Sequence, residues 1–365
     1  MPVPLSAIDC IQPAIQHTKE QLFSRFRWGQ WSRLALVGIL AAELHTGGCN
    51  FGNLPQILAQ SQQGRREFLP PGLPHIDPAR LMQFAGLIAT ILLLAILLFF
   101  VFLYISSVFR FILYESVIRR ECSISAGWER WHATGRRFFL WQLVFMIATW
   151  FFLGVIIGIP VFLMISTGWF KNSAAHAGGM IGGLVLLFGL LLVLGLAAAV
   201  IQVLAKDFLV PIMAIEQVDF ADGWSRLLAL MRPELGKYAV YILMKIVLAI
   251  AAAILFGIAA IFPTLIVAGP CVVIVLVAVW AGASWSATTI SLAVILGTVA
   301  FALLIYLIAL VSVPGTIFFP AYALYFFAER YPALAALLKP APPPPVAPPV
   351  SEPPPSPPIT PEPAV

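Results

Sequence analysis

Charged residues are scarce in this sequence: Asp, Glu, Lys and Arg make up only 10% of its 365 residues, against about 25% in soluble domains. A soluble protein with so few charges could not cover its surface with polar groups. Hydrophobic residues reach 61%, and the mean hydropathy is +0.97. The shortage of charge therefore excludes an ordinary soluble domain and favours a chain whose solvent is the lipid bilayer.

Motifs that carry chemistry are also missing. The four cysteines are scattered without a C-x-x-C pair, so neither a disulfide framework nor a zinc site is expected. The chain has no H-E-x-x-H helix, no G-x-S-x-G elbow and no phosphate-cradling glycine loop. We therefore expect no catalytic residue, no cofactor, no metal and no enzyme activity. The early segment lacks a continuous apolar stretch, so no cleavable signal peptide is expected.

The basic residues explain the net charge of +5 without nucleic acid. They lie in short segments between apolar runs, which is the pattern of the positive-inside rule rather than of a nucleic-acid-binding surface. The polar segments between the apolar runs should lie on the two sides of the membrane in turn. Those on one side hold sixteen Lys and Arg residues in total, and those on the other side hold four. This split predicts that both termini are cytoplasmic and that the number of crossings is even.

Long apolar runs predict an all-α integral membrane protein. Six transmembrane helices would form three repeated hairpins with interfacial amphipathic helices, followed by a disordered proline-rich C-terminal tail. The second apolar run continues past Phe111 and should protrude beyond the bilayer. The predicted units are an interfacial helix (1–27), a membrane domain (28–338) with spans 28–45, 81–110, 138–169, 180–204, 238–262 and 286–313, and the tail (339–365).

The segment between the fifth and sixth spans is ambiguous. From Tyr238 to Val313 the chain has a single charge, which leaves room for two or three helices. An even number of crossings requires two. Pro263 and Gly269–Pro270 then predict a kinked or re-entrant piece over residues 263–285.

The N-terminal segment is amphipathic. Ile11, Ile15, Leu22 and Phe26 fall on one stripe, and His17 lies off it with the charged residues. Such a helix lies in the plane of the membrane interface.

The chain repeats itself at an offset of 96 residues. "FILYESVIRRECSISAGWERWHA" from Phe111 aligns with "DFLVPIMAIEQVDFADGWSRLLA" from Asp207, and "IFFPAYALYFFAER" from Ile317 repeats the first part again. The parallel offset predicts a pseudo-threefold bundle. Trp128 and Trp224 would lie at the headgroups, with the following arginines on lipid phosphate.

Two ionisable residues at membrane depth are the candidate site residues, because such groups usually have functional partners. Lys245 lies about 12 Å into its helix, and we expect its side chain to extend to the interface, with pairing inside the bundle as the alternative. Glu43 lies near the end of the first span, and the interface is the expected location. If both face the interior, each could neutralise the other.

Two pairs predict local packing. Gly154-x-x-x-Gly158 and Gly178-x-x-x-Gly182 allow close approach of helices, and packing inside this one chain is expected over dimerisation. Glu115 and Arg119 lie four residues apart and should form an ion pair.

The tail differs in character: 14 of the last 26 residues are proline, which favours extended polyproline II. It serves as a solvated spacer or as a ligand for a proline-binding groove. The expected partners are membrane lipids and, through this tail, a cytoplasmic protein.

The strings "PAIQHTKEQLFSRFRWGQW", "KDFLVPIMAIEQ", "GWSRLLALM", "KYAVYILMKIVL" and "FFPAYALYFFAERYPAL" resemble a family of uncharacterised bacterial multi-pass membrane proteins. That family is distantly similar to the membrane domain fused to some glycerophosphodiester phosphodiesterases. The resemblance implies the bacterial inner membrane and no catalytic role, since the soluble phosphodiesterase domain is absent. A non-enzymatic scaffold or accessory subunit is the leading hypothesis, followed by a transporter or lipid-handling permease and then by a membrane-embedded enzyme.

Overall fold

The computed structural model describes residues 6–24, 26–41, 78–166, 177–280 and 286–338. These residues are helical apart from short links. The helices are α1 (Ile11–Phe23), α2 (Trp28–Leu40), α3 (Pro78–Arg119), α4 (Ile124–Ser166), α5 (Ala177–Leu204), α6 (Val210–Glu216), α7 (Phe220–Met231), α8 (Leu235–Trp280), α9 (Ala287–Ala328) and α10 (Pro332–Leu338). A π-helical segment, Ala205–Leu209, joins α5 to α6, and a 3₁₀ turn, Arg232–Glu234, joins α7 to α8.

Five stretches of helix in the described ranges are long and apolar enough to cross a membrane: Ala85–Arg119, Ile124–Ser166, Ile181–Glu216, Phe220–Ala278 and Thr288–Ala328. Their apolar side chains are exposed in bands. On α3 the band covers residues 85–102, and burial begins at residue 106. Eighteen residues rise about 27 Å, close to the ~30 Å hydrocarbon thickness of a bilayer. The bands therefore have the length and polarity that lipid contact requires.

The predicted first span is the shortest of the six. Its described part is α2, with 13 residues, which rises about 20 Å. Residues 42–45 of that span lie outside the described residues. The sixth crossing and the even count that it completes stay predictions.

Of the two forms predicted for residues 263–285, the re-entrant piece is wrong for the part that is described, and a kink stays a prediction. Helix α8 continues through Pro263 and Pro270 and ends only at Trp280. A proline removes one backbone donor, and a long apolar helix tolerates this loss when neighbouring turns adjust. Residues 281–285 lie outside the described residues.

The hydrophobic core lies at one end of the bundle. Helices α3, α6 and α9 finish at this end, and α4 and α7 begin there. We call it the charged end. Phe208, Tyr241 and Phe326 are completely buried at its centre. The ring centroids of Tyr241 and Phe326 are 4.6 Å apart, and those of Phe208 and Tyr241 are 5.1 Å apart. Each buried aromatic contributes roughly 1.5–3 kcal/mol, so this cluster stabilises the charged end.

Helix α1 caps the end of α3. The last four carbonyls of a helix have no partner within it. The Nε2–H of His17 donates to the Val117 carbonyl at 2.9 Å, and the Nε2 amide of Gln21 donates to the Ser116 carbonyl at 2.9 Å. The Tyr325 hydroxyl lies 3.3 Å from the Nδ1 atom of the His17 ring. The N-terminal helix thereby satisfies backbone groups 95 and 100 residues distant in sequence.

This arrangement revises the predicted stripe on α1. Ile15 and Phe26 are exposed, as a membrane-facing side requires, but Leu22 is buried with His17. The polar side of the helix faces the protein because the donors are needed at the carbonyls of α3. The exposed apolar side is consistent with an interfacial location.

The repeated segments have similar local geometry at two places. Arg120 and Gln217 end their helices in the left-handed region, with φ of 59° and 53°. Arg130 pairs with Glu115, and Arg226 pairs with Glu216. Each of these arginines therefore has a carboxylate partner at the end of the preceding helix, and their contact with lipid phosphate stays a prediction. The predicted pair of Glu115 with Arg119 is confirmed at 2.8 Å.

The predicted close approach at the glycine pairs is absent from the described part of the chain. A Cβ added at Gly154, Gly158, Gly178 or Gly182 would meet no atom within 4 Å. Close packing occurs instead at Gly135, where an added Cβ would lie 2.9 Å from the Cα of Val108. The glycine that brings α3 and α4 together lies in the core and not in the exposed bands.

We predict that Gly135→Ala destabilises the protein and that Gly154→Ala does not. The clash with the α3 backbone costs about 1–3 kcal/mol, whereas replacing glycine within a helix gains up to about 1 kcal/mol. Thermal unfolding in detergent should place the two variants on opposite sides of the wild type. Equal stability of both variants would contradict the close contact between α3 and α4.

The stability of the cap at α1 should depend on pH. Burial lowers the pKa of His17 from its ordinary value of 6.5. The unfolded chain therefore binds the proton more readily than the folded one, and stability falls as pH drops through 6.5. Melting temperatures between pH 8 and pH 5 should fall for the wild type and fall less for His17→Gln.

His132 supplies the matched control, because it is an exposed histidine at the same end of the bundle. His132→Gln should keep the full pH dependence. Identical pH profiles for the wild type and His17→Gln would show that another group controls stability.

Candidate functional site

A buried ion pair lies where α8 meets the junction of α5 and α6. The Nζ of Lys245 donates to Asp207 Oδ1 at 2.7 Å and also to Oδ2. The hydroxyl of Tyr241 donates to Oδ2 at 2.8 Å. The side chain of Asp207 is 8% exposed and that of Lys245 is 18% exposed. Both carboxylate oxygens are therefore satisfied by charge-assisted hydrogen bonds in a largely water-free setting.

Pro211 explains the local backbone at Asp207. A proline has no N–H, so the carbonyl four residues earlier, that of Asp207, loses its α-helical partner. The helix takes π geometry over Ala205–Leu209, and the N–H of Val210 donates to the carbonyl of Ala205, five residues back. Single π turns within α-helices often coincide with functional sites. The widened turn carries Asp207 at its centre.

The pair borders a cavity of about 40 Å³. Three converging segments line it, namely residues 110–114 of α3, 206–211 and 319–324 of α9, and α8 adds Lys245. Each of the first three helices contacts the other two. The cavity therefore lies where the helices that arrive at the charged end meet. Its lining residues are Arg110, Leu113, Tyr114, Lys206, Asp207, Val210, Pro211, Lys245, Phe319, Pro320, Ala323 and Leu324.

The lining is rich in positive charge. Arg110, Lys206 and Lys245 are basic, and Asp207 is the one acid among the lining residues. Arg110 is buried, and its Nη2 donates to the Ala41 carbonyl at 3.0 Å. Among the described lining residues, basic side chains therefore outnumber acidic ones by three to one.

Tyr114, one of the lining residues, has an unsatisfied hydroxyl. Tyr114 is 8% exposed, and its oxygen is buried without a hydrogen-bond partner among the described residues. A buried hydroxyl without a partner costs roughly 1–3 kcal/mol. Such a group is expected to meet a ligand or an ordered water.

The sequence-predicted candidates have different outcomes. Lys245 is paired with Asp207, which agrees with the predicted alternative of pairing within the bundle, and its level relative to the membrane interface stays a prediction. Glu43, its other predicted partner, lies outside the described residues. Asp207 was missed because it follows an apolar run and resembles an interfacial acid. The signal that could have found it is Pro211 four residues later together with Tyr241 and Lys245 on one helix face.

The chemistry available to these residues is limited. The Asp207 carboxylate is saturated by Lys245 and Tyr241. Cys122 does not line the cavity. Burial raises the pKa of its thiol to about 11, so at neutral pH the thiol is protonated and is a poor nucleophile. No three His, Cys, Asp or Glu side chains cluster as a metal ion would need within the residues that the structure describes. The site is therefore suited to holding charge in a fixed place.

These features define an α-helical protein of membrane type, with apolar bands on five long helices and a polar junction at one end. The chain belongs to DUF7544, a family of unknown function, whose model matches residues 5–337. No curated protein and no solved structure matches the chain. The predicted membership of an uncharacterised family is confirmed, whereas the distant similarity to the phosphodiesterase membrane domain has no support in these comparisons.

We predict that Lys245→Leu strongly destabilises the protein. The substitution leaves the Asp207 carboxylate buried without its cation, which typically costs about 3–5 kcal/mol. Replacing both residues, as in Lys245→Leu with Asp207→Leu, should recover most of the loss. Thermal or denaturant unfolding in detergent measures the series.

Lys237→Leu is the matched control on the same helix. Lys237 pairs with Glu234 at 2.7 Å, but its side chain is 47% exposed, so its loss should cost less than about 1 kcal/mol. A Lys245→Leu variant as stable as Lys237→Leu would mean that the pair does not form in the membrane.

Proposed function

We propose that this protein is a non-enzymatic integral membrane scaffold, or an accessory subunit of a membrane complex, that presents a rigid charged end to a partner. The proposal rests on one observation: at the charged end, carboxylate side chains form ion pairs that connect neighbouring helices. Glu115 joins α3 to α4 through Arg130 and Trp131. A platform connected in this way keeps one shape, as a scaffold requires.

Two further carboxylates act in the same way. Glu216 pairs with Arg226 and accepts a hydrogen bond from the Tyr331 hydroxyl at 2.6 Å. Glu234 pairs with Arg330 at 2.8 Å, and the Arg330 side chain is only 6% exposed. Arg330 also lies 4.0 Å over the ring of Phe326. Buried pairs of this kind are more costly to break than exposed ones, which supports a fixed arrangement.

A transporter or lipid-handling permease is the second candidate, and the buried pair of Lys245 with Asp207 beside a cavity favours it. Alternating access requires that a site open to each side in turn. The cavity of about 40 Å³ holds a few water-sized groups. The Asp207 carboxylate already accepts hydrogen bonds from two donors. These features support a static site over a transport route. A membrane-embedded enzyme, the third candidate, would need reactive groups at one level, and the saturated carboxylate argues against it.

The proposal includes a membrane topology. Six spans, with both termini on the cytoplasmic side of a bacterial inner membrane, would follow if α2 begins the first crossing. The distribution of Lys and Arg supports this orientation. Helix α10 ends at Leu338 beside α9, so the proline-rich segment 339–365 would begin on the cytoplasmic side and extend towards a protein partner. Its structure lies outside the described residues.

A pseudo-threefold repeat is also proposed. Arg110 and Lys206, 96 residues apart, both line the cavity, and 96 is the offset of the sequence repeat. Pro211 and Pro320, which align in the third copy, line it as well. The cavity would then lie on the axis that relates the three units. A likeness to the phosphodiesterase membrane domain would add no activity to this proposal.

Site-specific photocrosslinking in the native membrane tests the scaffold function. A photoreactive residue at Ser125, which is exposed at the charged end, should give one protein adduct of defined mass. The same residue at Val185, in the apolar band of α5, should give lipid adducts only. Removal of residues 339–365 should weaken the Ser125 adduct while leaving the melting temperature unchanged.

The permease alternative makes the opposite prediction. Purified protein in vesicles would then accelerate the movement of fluorescent phosphatidylglycerol between leaflets, and Asp207→Asn would abolish that movement while Lys237→Leu retained it. That result, with no protein adduct at Ser125, would replace the scaffold proposal.

A further inference from the structure

We propose that an open groove between α2 and the first turns of α4 binds the phosphoethanolamine headgroup of a phospholipid. The groove has a volume of about 580 Å³, within the range of roughly 300–1,000 Å³ that ligand sites in proteins occupy. It shares no residue with the cavity beside Lys245. A lipid held in this groove is a function beyond that of a scaffold. The lining residues are Arg33, Ser123, Ile124, Ser125, Trp128 and Glu129.

Two opposite charges line the groove without pairing. Arg33 and Glu129 are both exposed, and neither forms an ion pair, with the other or with a third side chain, among the described residues. Several carboxylates at the charged end differ in this respect: Glu115, Glu216 and Glu234 each bond to an arginine. A groove that keeps a cation and an anion apart suits a ligand that carries both charges. A phosphoethanolamine group is such a ligand, since two carbons separate its phosphate from its ammonium.

Three of the lining side chains suit the phosphate. The planar guanidinium of Arg33 offers a fork of donors that matches two phosphate oxygens. Ser123 and Ser125 are exposed, and their hydroxyls form no hydrogen bond within the described part of the chain. Exposed side chains without partners turn towards a ligand without breaking a bond. The donors therefore come from side chains, and the site does not depend on the backbone N–H groups of α4.

Glu129 and Trp128 suit the ammonium. A carboxylate accepts strong hydrogen bonds from a charged N–H donor, and indole is the aromatic ring that attracts a cation most strongly. The Trp128 ring is partly exposed, and Tyr104 and Phe109 hold it in place, each with a centroid 6.0 Å from that of the indole. A phospholipid without an amine would bring its phosphate to the groove and leave Glu129 without a cation. The groove therefore favours an amine-bearing headgroup over an anionic one.

The groove lies at the edge of the apolar surface, which favours a lipid over a soluble zwitterion. The exposed apolar band of α3 ends at residue 102. Tyr104, which contacts Trp128, lies two residues further, a rise of about 3 Å. The headgroup layer extends roughly 5–8 Å beyond the hydrocarbon on each side. A phospholipid with its headgroup in the groove can therefore keep its acyl chains along the band of α3.

Thermal stabilisation of delipidated protein in neutral detergent tests the site with three probes. These are dioleoylphosphatidylethanolamine, dioleoylphosphatidylglycerol, which lacks the amine, and dioleoylglycerol, which lacks both amine and phosphate. The ethanolamine lipid should raise the melting temperature in a saturable way. Its apparent affinity should exceed that of phosphatidylglycerol about tenfold, as one hydrogen bond between charged groups contributes. Dioleoylglycerol should have no effect.

Variants of the two charges separate their roles. Glu129→Gln should remove the preference for the ethanolamine lipid, whereas Arg33→Gln should weaken the binding of both phospholipids about tenfold. Without lipid, both variants should melt like the wild type, because each side chain is exposed and has no ion pair among the described residues. Glu121→Gln and Arg136→Gln are the matched controls. They remove exposed charges at the same end that do not line the groove, and they should change neither affinity.

A photoreactive residue at Ser125 tests the same site in the native membrane. Because Ser125 lines the groove, it should give an adduct with an ethanolamine phospholipid beside the protein adduct expected of a scaffold. Loss of the protein adduct alone would count against the scaffold and not against the lipid site.

Three results would overturn the lipid site: equal affinity of the wild type for the two phospholipids, a preference that survives Glu129→Gln, or an effect of Glu121→Gln as large as that of Glu129→Gln. Tighter binding of soluble glycerophosphoethanolamine than of the lipid would overturn the membrane as the source of the headgroup.

Discussion

The buried ion pair between Lys245 and Asp207 is the interaction on which the charged end depends. It connects α8 to the π-helical segment at the point where the three converging segments meet, and Tyr241 completes it from the same helix as Lys245. A buried pair stabilises a fold only if the remaining hydrogen-bonding capacity of both groups is used. Here the carboxylate accepts from both Lys245 and Tyr241, so the pair is a structural connection that also forms one wall of the cavity.

A second constraint is the satisfaction of backbone groups at helix ends. Long helices that finish together bring several unpaired carbonyls to one place, and side chains from elsewhere must bond to them. His17 and Gln21 do this for α3. Within α9, Pro314 removes the N–H that would bond to the Leu310 carbonyl, and the indole N–H of Trp31 donates to that carbonyl at 2.9 Å instead. These bonds explain why α1 and α2 pack on the charged end. The exposed apolar bands on the other side of the bundle are left to lipid.

The sequence alone predicts the elements well and their contacts poorly. Runs of apolar residues predict α3, α4, α5, α8 and α9 because helix formation in a bilayer depends on local composition and length. The ion pair of Glu115 with Arg119 is predictable for the same reason, since one turn of helix separates the two residues. The candidate site is only half predicted: Lys245 is identified as a residue with a partner to find, but Asp207 is 38 residues away. No periodicity within one helix can indicate which acid on another helix lies opposite.

What the sequence by itself determined is the solvent: its scarcity of charge and its apolar runs require a membrane and helices that satisfy their own backbone bonds. The tertiary structure decided which polar groups meet. It turned the polar side of α1 inward and paired the repeated arginines Arg130 and Arg226 with Glu115 and Glu216. It also moved close helix packing from the exposed glycine pairs to Gly135. The physical reason is that burial of polar groups is costly unless they are paired, and pairing depends on how whole helices converge.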